Sequence, residues 1–200
     1  MWATVGGKMN TKQKKFDTKT LAFGAVLTAI VIVLQYLGSF IHLGPFSVSL
    51  VLLPIVIGAA LCGTAISTWL GFVFGLVVLI SHDADAFLSI NAIGTIITVL
   101  AKGALAGLAA GLIYNLLKNT NKYVAVVAAA IICPIVNTGI FLIACRVFFF
   151  DTIKLWAGDM DVVKYMFVGL VGLNFLVELA INVVLSPTVV KIINIVKKSK

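Results

Sequence analysis

Apolar residues run along most of this chain, and polar ones break them only at intervals. Six apolar runs stand out, at residues 21–41, 46–62, 65–81, 93–117, 124–150 and 166–193. A helix needs about 20 mostly apolar residues, at about 1.5 Å each, to cross the hydrocarbon core of a bilayer. The pattern therefore predicts an all-α membrane protein, a bundle of six transmembrane helices. The second and third runs are short and are separated only by Gly63-Thr64, which reads as a tight turn between antiparallel helices. Five crossings result if that pair forms a re-entrant hairpin. Pro54, Pro134 and Pro187 predict kinks in the second, fifth and sixth helices, which neighbouring helices in a membrane can accommodate.

Charge sets the orientation. Lys and Arg accumulate on the cytoplasmic flanks of membrane helices. Lys8, Lys12, Lys14, Lys15 and Lys19 precede the first run, Lys118 and Lys122 lie between the fourth and fifth, and Lys191, Lys197, Lys198 and Lys200 close the chain. Six crossings put all of these on one side. The opposite side carries His42, His82, Asp83, Asp85, Asp151, Lys154, Asp159, Asp161 and Lys164, acidic on balance. Both termini are thus expected in the cytoplasm of a multi-pass protein of the cell membrane. The organisation follows: a flank over residues 1–18, a membrane domain over 19–193 and a basic tail over 194–200. Met9-Asn10-Thr11-Lys12 has the look of an ordinary start, so residues 1–8 are read as a start-site artefact or added scar and set aside.

Composition agrees. Of 200 residues, 62% are hydrophobic and 11% charged, with a mean hydropathy of +1.17. Soluble domains are about 45–50% apolar and about 25% charged, so a soluble fold would lack polar side chains for its surface. The net charge of +8 is a topology signal; nucleic-acid binding needs a basic face on a soluble fold. The first run is too long for a cleavable signal segment. Cys62, Cys133 and Cys145 lie in or beside apolar runs without paired spacing, as small buried thiols do.

The chemistry of catalysis is missing. No GxxxxGK[ST] phosphate loop, HExxH, CxxC or GxSxG occurs, so neither nucleotide hydrolysis nor another enzymatic activity is expected, and no cofactor. His42, His82, Asp83 and Asp85 read as solvated loop residues in preference to a metal site.

Polar residues within the runs carry more information, because lipid penalises them and they must face the bundle. Asn174, Glu178 and Asn182 are spaced by four and form one stripe on the sixth helix. By depth, Asn91 and Arg146 lie near the outer surface, Gln35, Asn137 and Asn174 in the outer half, Lys102 and Glu178 near the middle, and Asn182 in the inner half. Thr138 belongs to the same set. This distribution fits a cavity open to the outside that holds a small polar molecule. The alternative is a Lys102–Glu178 ion pair that fixes helix packing. The longer outer loops, 81–92 and 151–164, are natural places for binding residues; Trp156 there, with Tyr165 beyond, is either a ligand contact or an interfacial belt residue. The substrate-binding candidates are Gln35, Asn91, Lys102, Asn137, Arg146, Trp156, Asn174 and Glu178. Gly71 and Gly75 on the third helix, and Gly103, Gly107 and Gly111 on the fourth, make small-residue faces suited to close packing.

Taken together, the chain from about Thr18 resembles the substrate-binding (S) components of energy-coupling factor vitamin transporters. The resemblance rests on size, six helices, the basic N-terminal flank, Ala25-Val26-Leu27-Thr28-Ala29, Leu53-Pro54-Ile55-Val56-Ile57-Gly58, and Leu100-Ala101-Lys102-Gly103-Ala104-Leu105-Ala106-Gly107, in that order. It implies a subunit of an ATP-driven importer in a prokaryotic plasma membrane that captures a water-soluble vitamin or precursor from outside, of riboflavin, pantothenate or folate type. It also implies a transmembrane coupling subunit and two cytoplasmic ATPases as partners, with Ala25 and Ala29 facing the coupling subunit. The missing nucleotide motif agrees with an energy source in partner chains. Two rivals remain: a stand-alone secondary transporter with Lys102 and Glu178 as a proton relay, and an assembly subunit whose polar groups only pack.

Overall fold

A computed structural model describes residues 17–40 and 49–198, and every element among them is helical. The flank before Asp17, His42 and Lys200 lie outside the described residues. In chain order the elements are α1 (Thr18–Gly38), α2 (Leu52–Leu61), α3 (Thr64–Ile80), α4 (Asp85–Leu88), α5 (Ala92–Leu117), α6 (Lys122–Phe148), α7 (Phe150–Ala157), α8 (Val162–Lys164), a π-helical turn (Tyr165–Leu170) and α9 (Gly172–Lys198). Four helices are long and apolar enough to cross a membrane: α1, α5, α6 and the Gly172–Val196 part of α9. The other two apolar helices, α2 with 10 residues and α3 with 17, are shorter.

Local sequence accounts for the boundaries. Asn91 and Asn121 start α5 and α6 by accepting backbone N–H groups, from Gly94 at 2.9 Å and from Tyr123 at 2.8 Å. This is the capping role that the short amide side chain suits. Gly63, between α2 and α3, has φ 90° and ψ 179°, a conformation open to glycine and strained for any residue with a Cβ. The tight turn expected there is present. Pro54 falls in the first turn of α2, where the missing N–H needs no partner, so it helps to start a helix and does not kink one. Pro134 and Pro187 lie inside α6 and α9 as expected. The sixth apolar run is divided: its first part winds as the π turn, and α9 follows.

Packing explains why α2 is short. It sits at the centre, touching α1, α3, α5, α6 and α9, and seven of its ten residues are buried. The surrounding helices turn large apolar side chains outward instead; Ile93, Leu116 and Val184 are each 73% exposed. Such a surface suits hydrocarbon, which imposes no cost on exposed apolar groups.

The closest approach is between α3 and α5. A Cβ at Gly71 would overlap the Gly103 carbonyl, one at Gly103 the Gly71 carbonyl, and one at Gly107 the Ser67 carbonyl. Ser67 Oγ donates to Gly107 O at 2.8 Å across the same contact, and Asn115 Nδ2 donates to Thr64 Oγ1 at 2.8 Å at its far end. The glycine stripes read from the sequence are thus a seam between two backbones. Gly103→Ala is expected to destabilise the protein by about 1–3 kcal/mol through overpacking. Gly139→Ala should cause no loss, because nothing lies within 4 Å of a Cβ there. Thermal unfolding of the purified variants in detergent checks both.

Candidate functional site

Two apolar clusters fill the bundle. The larger joins α1, α2, α3, α5, α6 and the last turns of α9, with Val31, Ile55, Phe74 and Val189 among its buried members. The smaller gathers Phe87 of α4, Cys145 and Phe149 at the end of α6, Ile153 of α7, and Met166 and Leu170 of the π turn. A cavity lies where they meet, holding about 790 Å³ of atom-free space including its open mouth. Small-molecule sites are typically clefts of about 300–1,000 Å³ with mostly apolar walls and a few placed polar groups.

Each wall supplies polar groups for a local reason. On α5, Thr95, Thr98 and Lys102 are spaced by three and four and share one helix face. The glycine seam occupies the neighbouring face of the same helix, so its contact with α3 directs these three toward the cavity. Lys102 lies ten residues into α5, about 15 Å along its axis. Its ammonium stands 5.8 Å from the ring centre of Phe74 and 5.4 Å from that of Phe141, both within the range of cation–π attraction. Asn137 and Thr138 enter from α6, and Asn174 and Glu178 from α9.

Glu178 is 6% exposed. Its Oε1 accepts the backbone N–H of Ser49, just before α2, at 2.9 Å. Lys102 and Glu178 line the same cavity, yet among the described residues no direct ion pair joins them. Below Glu178 the α9 stripe continues into the bundle. Asn182 Nδ2 donates to Glu178 O at 2.8 Å, and Ser186 Oγ donates to Asn182 O at 2.7 Å.

The α4 end of the cavity is held by a carboxylate. Gln35, near the end of α1 and 1% exposed, donates Nε2 to Asp83 Oδ2 at 2.7 Å, and Ser81 Oγ donates to the same oxygen at 3.0 Å. Asp83 thereby ties α1 to the segment after α3. Its neighbours turn the other way: exposed His82 meets Asp85 at 2.9 Å. Phe87 closes this end, edge-on to Phe149 at 4.9 Å, Phe141 at 5.6 Å and Trp156 at 5.5 Å between ring centres.

Five of the eight candidates from the sequence therefore meet at one cavity: Gln35, Lys102, Asn137, Asn174 and Glu178. The other three are not among its lining residues. Asn91 caps α5, exposed Arg146 lies with its guanidinium 4.0 Å from the Phe150 ring centre, and Trp156 stands behind Phe87. Thr95, Thr98 and Ser49 were not among the candidates, and Asp83, expected as a solvated loop residue, instead lines the cavity and binds Gln35 and Ser81. The spacing of Thr95 and Thr98 from Lys102 was a usable signal; Asp83 looked like any loop acid. No group of three or more metal-ligating side chains occurs among the described residues.

Asp83→Ala would leave the buried Gln35 amide without its acceptor. Unfolding in denaturant should show a loss of about 1–3 kcal/mol, whereas His82→Ala, with a side chain 84% exposed, should stay within about 0.5 kcal/mol.

In comparisons with known proteins, a family model described as ECF transporter, substrate-specific component, matches residues 19–190. No curated protein and no solved structure matches.

Proposed function

The chain belongs to the ECF transporter substrate-specific component family, and on that premise we propose that it captures a water-soluble vitamin or vitamin precursor from outside the cell for an ATP-driven importer. As a member of that family it is a transporter subunit rather than an enzyme. The observation that carries the proposal is the cavity: five polar side chains from α1, α5, α6 and α9, far apart in sequence, converge on one open-mouthed cavity inside an apolar bundle. Isolated polar groups in hydrocarbon are costly, and a set of them round a pocket of ligand size has a use that packing alone does not supply.

The remaining parts of the reading fit together. Six crossings, with α2 and α3 as a short pair, put the basic flanks in the cytoplasm and the α4 end of the cavity outside. Substrate reaches Gln35, Lys102, Asn137, Asn174 and Glu178 from that side. Asn91, Arg146 and Trp156 belong to the rim and act on entry or on the position of Phe87. A transmembrane coupling subunit and two cytoplasmic ATPases supply the energy, in a prokaryotic plasma membrane. Ala25 and Ala29 lie on the exposed surface of α1, one turn apart, where a coupling subunit can approach closely.

Two experiments test this. Asn137→Ala and Asn174→Ala should each weaken ligand affinity about two- to tenfold, the worth of one polar contact at about 0.5–1.5 kcal/mol. Titration of the purified chain against a panel of B vitamins measures it; unchanged affinity in both variants would remove the cavity from the reading. Ala25→Trp and Ala29→Trp should abolish uptake in cells and leave binding by the purified chain intact. Uptake by this chain with no ATPase present would count against the importer.

A further inference from the structure

The chemistry of the cavity wall narrows the ligand, taking the cavity as the substrate site just proposed. The hydroxyls of Thr95 and Thr98 donate inward to their own helix, to Asn91 O at 2.8 Å and Gly94 O at 2.6 Å. A hydroxyl has one proton and two lone pairs, so both present lone pairs alone to the cavity. Glu178 accepts the backbone N–H of Ser49 on Oε1, with the Ser49 hydroxyl also close to the carboxylate, and lines the cavity. Asp83 accepts Gln35 and Ser81 on Oδ2 and keeps Oδ1. Because Asp83 holds the Gln35 nitrogen, Gln35 Oε1 is fixed on the other side, buried and without a partner. Acceptors thus dominate. Against two carboxylates the lining sets one ammonium, Lys102, whose three N–H groups donate no hydrogen bond to the protein among the described residues. Asn137 can present either end of its amide. The faces between these groups are aromatic: Phe87, Phe141, Phe149 and Phe175.

We propose that the ligand is a flat, nitrogen-rich ring compound that bears amino groups and no negative charge. Its N–H groups meet the oxygens of Thr95, Thr98 and the carboxylates, a ring nitrogen or carbonyl meets Lys102, and its faces lie against the phenylalanines. An anionic ligand would gain one ammonium and face two carboxylates, and ring oxygens in place of amino groups would confront lone pairs across the α5 wall.

Matched probes test this by calorimetric titration of the purified full chain. 2,6-Diaminopurine carries amino groups where xanthine carries oxo groups on the same ring, and orotate is a flat ring with a carboxylate. 2,6-Diaminopurine is expected to bind about tenfold or more tightly than either, the worth of two polar contacts. Thr98→Val, which keeps the shape and removes the lone pairs, should weaken it about three- to tenfold. Equal or tighter binding of xanthine or orotate overturns the ligand class, as does binding of none of the three. Mass spectrometry of small molecules that stay with the chain through purification separates this failure from the other. An acidic passenger whose retention falls in Asn137→Ala overturns the ligand class and leaves capture standing. No passenger, with no binding of any probe or B vitamin, overturns both.

Discussion

The contact on which the rest of the structure depends is the meeting of α3 and α5 along Gly71, Gly75, Gly103, Gly107 and Gly111. Between apolar helices in lipid there is no hydrophobic drive toward association, so close van der Waals contact and hydrogen bonds must supply it. Here the backbones approach until Gly71, Gly75, Gly103 and Gly107 each face a carbonyl of the partner helix, and Gly111 meets Ser67 and Thr64. Such a contact permits no rotation of α5 about its axis. The face carrying Thr95, Thr98 and Lys102 therefore has one direction, toward α6 and α9. The cavity is the space left on that side.

The polar groups round the cavity are stabilised in part by one another and in part by backbone. Glu178 receives an N–H from the segment before α2, and Asp83 receives an amide and a hydroxyl from α1 and the end of α3. Hydrogen bonds to a charged group contribute about 1.5–3 kcal/mol net. They also join elements that have little other contact near the α4 end, so the same bonds that make the charges tolerable fix the walls. Phe87 completes the enclosure from a helix of four residues, because four aromatic rings meet edge to face there.

Most of this fold could be read from the chain, and the reasons are physical. Long apolar runs and the Gly63 turn follow from the demands of lipid and of backbone stereochemistry, and they appear where expected. The central position of α2 was hidden, since an apolar run does not tell a lipid-facing helix from a central one. At the site, depth along the helices was enough to bring Gln35, Lys102, Asn137, Asn174 and Glu178 together. Depth alone did not foretell that the carbonyl-bearing side chain of Asn91 is engaged as an N-cap, or that Arg146 lies against a ring four residues on. Thr95 and Thr98 drew no notice because a hydroxyl in a helix commonly bonds its own backbone; both do so, and their lone pairs still line the cavity. Asp83 could not be told from Asp85 before folding, for only three-dimensional proximity to Gln35 sets them apart.

The placement of Lys102 between Phe74 and Phe141 bears on how its charge is held. An ammonium bound only through a carboxylate would be screened off from a newcomer, and one with no neighbour would draw the walls inward. Two ring faces give it attraction of about 0.5–2 kcal/mol each without occupying its N–H groups. The cation is therefore held in place with no ion pair that would have to break before its N–H groups could donate elsewhere.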